Sequence, residues 1–251
     1  MSVTWPEGVG RIVLPSVDST NAEAIRQAPT LAGPTWILGL EQTRGRARRG
    51  RGWIDPKGNF SATLALRPTG QPGDVALYSF VAALALHDAC VAATGRSDAF
   101  ALKWPNDVLL NGGKLAGILL ESAGIAGQGG LMHLAVGIGV NLVEVPLVDG
   151  LEQRAVRPVN LAEAGADISP EGFLDLLAPA FADWELRLNT YGFGPLREAF
   201  LNRAARLGEV ITARTGTTET TGTFETIDEN GNLVLKTSAG RQVIAAADIF
   251  F

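Results

Sequence analysis

Residues 101–121 read ALKWPNDVLLNGGKLAGILLE, and the punctuation of this stretch decides the fold. Short apolar runs at 101–104 and 108–110 are separated by Pro105-Asn106, and Asn111-Gly112-Gly113 precedes a longer run at 114–121. Proline fixes its own backbone and lacks an N–H, while Asn and Gly tolerate left-handed conformations, so both interruptions are turns. With a further apolar run at 131–141, the segment predicts an antiparallel meander of short strands.

The sequence on either side supplies helices and a second unit. Upstream, a strand-like run at 11–14 leads to Ser19-Thr20-Asn21-Ala22-Glu23, where Thr20 and Glu23 have capping-box spacing. A short helix to Gln27 follows and stops before Pro29. Strand-type runs occupy 35–42 and 60–66, and the Arg-Gly-rich stretch 43–52 between them has no apolar period, so it is a loop long enough to be functional. A long helix is predicted over 74–94, closed by Gly95, with further helices over 171–188 and 195–205. From Gly208 onward Thr alternates with apolar residues around a turn at Glu229-Asn230-Gly231, which predicts a small all-β unit. The expected fold class is therefore α+β, a mixed and mostly antiparallel sheet backed by helices. We place the domains at 1–206 and 207–251, packed together because no linker separates them.

Composition bounds the function. With 251 residues, 46% hydrophobic and 19% charged, the chain buries a substantial core and is not disordered. A formal net charge of −5 excludes a polybasic nucleic-acid or membrane-surface binder, so any polyanion must be met locally. The single cysteine, Cys90, excludes a disulfide framework and a multi-thiolate zinc site, and His87 and His133 have no metal-ligand spacing. Residues 1–10, with Trp5, Pro6 and Glu7, lack a secretory signal pattern, which places the chain in the cytoplasm. The most apolar window, 75–86, is interrupted by His87 and Asp88, too short to span a bilayer, and is expected as a buried helix.

Two cation patterns carry the chemistry. Five arginines fall in the eight positions 44–51, interleaved with Gly45, Ala47 and Gly50. A guanidinium fork matches phosphate and carboxylate oxygens, and glycines let backbone N–H groups approach an anion. A solvated loop and an RNA-binding Arg-Gly tract remain equally open on this pattern alone. Only four lysines occur, and two of them stand in Lys103-Trp104-Pro105-Asn106-Asp107 and Gly112-Gly113-Lys114-Leu115-Ala116-Gly117. An ammonium placed between two anions relieves their repulsion; the plainer alternatives are an edge-strand lysine for Lys114 and a salt bridge for Lys103.

Taken in order, Ser19-Thr20-Asn21, residues 42–53, 103–107, 114–119 and 137–141 (Gly137, Gly139 and Asn141), followed by the C-terminal β unit, resemble the bacterial biotin–protein ligases over nearly the whole chain. The resemblance implies a class II synthetase-like catalytic domain with a small C-terminal SH3-like β-barrel. It implies ATP-dependent adenylation of biotin to biotinyl-5'-AMP, then transfer to a lysine of a biotin carboxyl carrier domain of a biotin-dependent carboxylase. By similarity, Arg48, Lys114, Lys103 and Asp107 are catalytic. Ser19, Thr20, Asn21 and Gln42 bind biotin with Gly45, Arg46, Ala47, Arg48, Lys114 and Gly117. Arg46, Arg48, Arg49, Trp53, Lys103, Asn106, Asp107, Lys114 and Asn141 bind ATP. Mg²⁺ accompanies ATP, with Asp107 its acidic neighbour. Thr20 and Glu23 would suffice as a helix cap, which leaves Ser19 and Asn21 over for the pocket. Cys90, inside an apolar helix, is expected as a core residue, since aminolysis of a mixed anhydride needs no enzyme nucleophile.

Three departures accompany the resemblance. Ala47 stands where the family loop usually has glycine, which restricts positive φ. The catalytic pattern begins by Arg11, leaving no room for the N-terminal DNA-binding domain of some relatives, so repressor activity is not expected. Residues 143–158 contain no aromatic to cover the adenine. Monomer and homodimer both stay open. The competing functions are a lipoate–protein ligase or octanoyltransferase, which the arginine loop and Lys-Trp-Pro-Asn-Asp oppose, and a nucleic-acid-binding module with salt-dependent affinity.

Overall fold

A computed structural model describes residues 4–68, 72–123, 133–145 and 156–251. The start of the 131–141 run, most of 143–158 and residues 1–3 lie outside these. The strands β1 (Gly10–Leu14), β2 (Thr35–Gly39), β3 (Phe60–Leu66), β4 (Phe100–Lys103), β5 (Asp107–Leu110), β6 (Gly113–Ala123) and β7 (His133–Val140) form one sheet in the order β1-β2-β3-β7-β6-β5-β4. Every pairing in it is antiparallel except β1 with β2, so β4 to β7 are the expected meander.

Alternation along the strands separates a core face from a site face. Phe60, Ala62 and Leu64 of β3, Ile118 of β6 and Val136, Ile138 and Val140 of β7 belong to the main core. Their odd-numbered neighbours face the other way, where Ile37, Ala65 and Ala135 pack on Ala24 of α1 (Thr20–Gln27). The core face is covered by α2 (Tyr78–Thr94), α3 (Pro170–Tyr191) and α4 (Gly194–Leu201). Edge-to-face pairs Trp36–Phe181, Phe60–Phe173 and Phe80–Phe200 seal these layers. The helix α2 is apolar on all sides, as its burial from Phe80 to Cys90 requires, and ends at Gly95 with φ 72°. By length and composition the stretch Val75–Thr94 would suffice to cross a bilayer, contrary to the sequence expectation; the fold uses it as a core helix.

One cap differs from the sequence reading. The N-cap of α1 is Ser19, whose side chain accepts from Ala22 N, while Glu23 reaches forward to Arg26 and Gln27. The capping role therefore falls one residue earlier than the Thr20/Glu23 spacing suggests, and Thr20 is free for other bonds.

The second unit is a five-stranded antiparallel sheet of β8 (Val210–Thr215), β9 (Thr218–Ile227), β10 (Leu233–Thr237), β11 (Gly240–Ile244) and β12 (Asp248–Phe250), ordered β11-β10-β9-β8-β12. Buried Trp104 donates through Nε1 to Gly231 O at 3.0 Å, fastening the unit to the β4–β5 turn.

Candidate functional site

On the site face of the large sheet a cavity of about 300 Å³ opens between α1, the arginine loop, the β4–β5 turn, β6, β7 and β12. One end is neutral and polar. Gln42 Oε1 accepts from Thr20 N at 2.9 Å and Thr20 Oγ1 at 3.2 Å, and Gln42 Nε2 donates to Ser61 Oγ at 3.3 Å. Asn21 Oδ1 accepts from Thr63 at 2.6 Å, and its Nδ2 donates to Glu121 at 2.8 Å. Ser19, Thr20 and Asn21 are all buried, and the strict alternation of β3 puts Ser61 and Thr63 beneath them. The floor at this point is Gly137, where a Cβ would stand 2.0 Å from Asn21 Oδ1, so only glycine leaves Asn21 its place.

The other end is cationic. Lys114 Nζ donates to Asp107 Oδ1 at 2.7 Å, and Lys103 Nζ lies 3.6 Å from Asp107 Oδ2. β6 lies inside the sheet between β5 and β7, so Lys114 is not a lysine guarding an exposed edge. Arg48 donates to Asn106 Oδ1 at 3.0 Å, and Asn106 Nδ2 donates to Ile118 O at 2.7 Å. Asn106 therefore supports the loop and orients Arg48. Burial disfavours the charged forms of Arg48 and Lys103, opposed for both by the carboxylates of Asp107 and Asp248. Arg46 pairs with Glu121 at 3.1 Å, which ties the loop to the polar end through Asn21.

Trp53 closes the loop over the sheet. A Cβ on Gly139 would lie 2.5 Å from its Cε2, and one on Gly117 would lie 3.4 Å from its Cζ3. The glycines of β6 and β7 thus form a shelf for an indole. In the same cavity lining, Asn141 is 2% exposed, donates through Nδ2 to Val159 O, and has a buried Oδ1 with no partner among the described residues. An unpaired buried acceptor is costly, and one lining a cavity is suited to a ligand N–H.

Of the residues singled out from the sequence, Ser19, Thr20, Asn21, Gln42, Arg46, Ala47, Arg48, Trp53, Lys103, Asn106, Asp107, Lys114, Gly117 and Asn141 line this one cavity. Two do not. Gly45 is where the loop crosses itself, with a Cβ position 2.3 Å from Trp53 O, so the packing of the chain alone already requires glycine there. Arg49 turns outward with φ 58° and pairs with Asp248 at 2.7 Å. Sequence reasoning missed Ser61, Thr63, Glu121 and Asp248. A hydroxyl at alternate positions of the apolar strand Phe60–Leu66 was the available signal for the first two. For Asp248 there was none, since its partners in the arginine loop, Arg51 and Arg49, lie 197 and 199 residues away.

A model of the Biotin/lipoate A/B protein ligase family matches residues 13–141, and one of the Biotin protein ligase C terminal domain matches 207–251. The biotin--[acetyl-CoA-carboxylase] ligase of Paracoccus denitrificans is 58% identical over 240 residues, 95% of this chain and 99% of that protein. The chain belongs to this ligase family. Among other members, the bifunctional ligase/repressor BirA of Escherichia coli is 28% identical over 92% of this chain and 70% of its own length. The biotin/lipoate ligase fold is also that of the biotin protein ligase from Aquifex aeolicus in complex with biotin and ATP. That structure superposes with a TM-score of 0.80 at 24% identity, covering 96% of this chain and 97% of that one.

Proposed function

We propose that this chain is a biotin–protein ligase that adenylates biotin with ATP and passes the biotinyl group to a lysine of a carboxyl carrier domain. The observation that carries the reading is the convergence on one cavity of a neutral hydrogen-bonding end, Thr20, Asn21 and Gln42, with three cations, Arg48, Lys103 and Lys114. A ureido head buried at the first end keeps its hydrogen bonds, and the valerate chain then delivers its carboxylate to the second. The division into a catalytic domain, 1–206, and a C-terminal domain, 207–251, is part of this proposal, supported by the separate five-stranded sheet.

In the first half-reaction a biotin carboxylate oxygen attacks the α-phosphorus of ATP, the P–O bond to the β-phosphate breaks, and pyrophosphate leaves with biotinyl-5'-AMP formed. Two anions must touch, so the guanidinium of Arg48 and the ammonium groups of Lys103 and Lys114 lower the barrier by neutralising the developing charge. Trp53, on its glycine shelf, supplies a face for the adenine, and Asn141 Oδ1 accepts from the adenine amino group. In the second half-reaction the carrier lysine's neutral amine attacks the acyl carbon, and AMP leaves as the C–O bond breaks. No enzyme nucleophile is needed, and Cys90 is fully buried with its thiol pushed far up by desolvation.

The residues present do not offer Mg²⁺ a ready ligand set. Asp107 is the carboxylate at the cationic end, but its Oδ1 and Oδ2 face Lys114 and Lys103. No cluster of metal-binding side chains occurs among the described residues, so the ion would be held by the ATP phosphates. When bound, the ion would screen the ATP phosphates. The proposed ligase works in the cytoplasm and has no operator-binding role, in keeping with a net charge of −5. Biotin-dependent exchange of labelled pyrophosphate into ATP tests the reading. Exchange that requires lipoate or octanoate in place of biotin would overturn it.

A further inference from the structure

The bonds around Asn21 leave it one free capacity, and a carboxylate behind the cavity lining decides which one. Asn21 Nδ2 donates to Glu121 Oε2 at 2.8 Å and to Leu119 O at 3.3 Å, while its Oδ1 accepts from Thr63 Oγ1 at 2.6 Å. Glu121 and Leu119 present acceptors here, so the amide nitrogen must be the atom that faces them. Both amide protons are thereby spent. What Asn21, buried in the cavity lining, keeps for a ligand is the second lone pair of Oδ1, an acceptor for an N–H. Glu121 stands behind that lining, two residues past Leu119 on the same face of β6.

The shorter of the two bonds on Nδ2 goes to the carboxylate, and a hydrogen bond to a carboxylate is roughly twice as strong as one between neutral groups. The 3.3 Å bond to the strand carbonyl of Leu119 is at the weak end of the range, so Glu121 holds the amide plane. Its other oxygen, Oε1, lies 3.1 Å from Arg46 Nη1, which braces the carboxylate from the arginine loop. With this acceptor removed, Asn21 swings away from Leu119 or turns its Nδ2 to Thr63 Oγ1, and the free lone pair no longer faces the ligand. We propose that Glu121 is a positioning residue for the neutral, hydrogen-bonding end of the pocket, fixing Asn21 with its carbonyl toward a ureido N–H while Arg46 braces it from behind. This rests on the biotin reading above.

The experiment is a double-mutant cycle read by calorimetric binding of biotin to the nucleotide-free protein. Glu121→Leu removes both acceptor oxygens at similar volume and is expected to weaken biotin binding about tenfold. Glu121→Gln keeps one acceptor oxygen for Asn21 and is expected to recover binding to within about threefold of wild type. In an Asn21→Ala background, Glu121→Leu is expected to cost less than about twofold. The proposal is overturned if Glu121→Leu binds biotin like wild type or if Glu121→Gln loses as much as Glu121→Leu. It is also overturned by an equal loss in the Asn21→Ala background, which would mean that Glu121 acts through Arg46 instead. Should Glu121→Leu fail to fold by circular dichroism, Glu121→Ala is judged by the same criteria. Wild-type protein that binds no biotin would refute the underlying reading, whereas wild-type binding with an indifferent Glu121→Leu would refute this inference alone.

Discussion

Lys114 and Asp107 meet at 2.7 Å across the β5–β6 pair, and the same carboxylate also faces Lys103 at 3.6 Å. One anion thus holds two ammonium groups at the mouth of a cavity built for other anions. Lys114→Ala is expected to cut pyrophosphate exchange by about a hundredfold or more, the usual cost of losing one preorganised charge at a reacting centre. Biotin affinity measured by calorimetry should change far less. Equal losses in both would place Lys114 in ground-state binding only.

Gly137 and Gly139 are two residues apart on the same face of β7 and guard different neighbours. Gly137→Ala drives a methyl into Asn21 and should weaken biotin binding with nucleotide affinity preserved. Gly139→Ala displaces Trp53 and should do the reverse, with a red shift of tryptophan emission. Identical effects of the two variants on both ligands would contradict this division of the cavity.

Asp248 pairs with Arg49 at 2.7 Å and with Arg51 at 3.5 Å, so the C-terminal sheet fixes the outer side of the arginine loop. Asp248→Ala should speed tryptic cleavage within residues 44–51 and raise KM for ATP about fivefold, the scale of a partly exposed ion pair. Unchanged cleavage would show that the Arg48–Asn106 and Arg46–Glu121 contacts hold the loop without Asp248.

Burial pushes the Asp55 carboxyl up to about 6, above the ordinary carboxylate value of about 3.9 that it has in the unfolded chain. The folded state therefore binds the extra proton between these values, and Asp55 lowers stability progressively as pH rises through that window. Asp55→Asn removes the penalty. Its Tm advantage over wild type should grow from pH 4 to pH 7 and stay level above, as read by calorimetric melting; an advantage independent of pH would refute the assignment.

Much of the fold was readable because turns and strands were marked by local chemistry: Asn111-Gly112-Gly113 and Pro105-Asn106 punctuate the meander, and Gly95 stops α2. The parallel pairing of β1 with β2 had no such mark, since it depends on where α1 returns the chain. The site was visible wherever one residue type served one purpose, as with the rare lysines. It was hidden where purposes overlap: Arg49 matches its neighbours in type yet turns to Asp248, and Ser19 caps α1 while Thr20, with the more box-like spacing, bonds Gln42.

The carboxylates of Asp107, Glu121 and Asp248 give the arginine loop and the two lysines partners of their own. Capture of an anion at this wall is thus an exchange of partners, and each displaced carboxylate must be rehoused in water or on another cation. A lone chloride or a single phosphate offers too little in return. A ligand that places several oxygens at fixed separations meets all three exchanges at once, so the wall discriminates by the arrangement of charge and not by its amount.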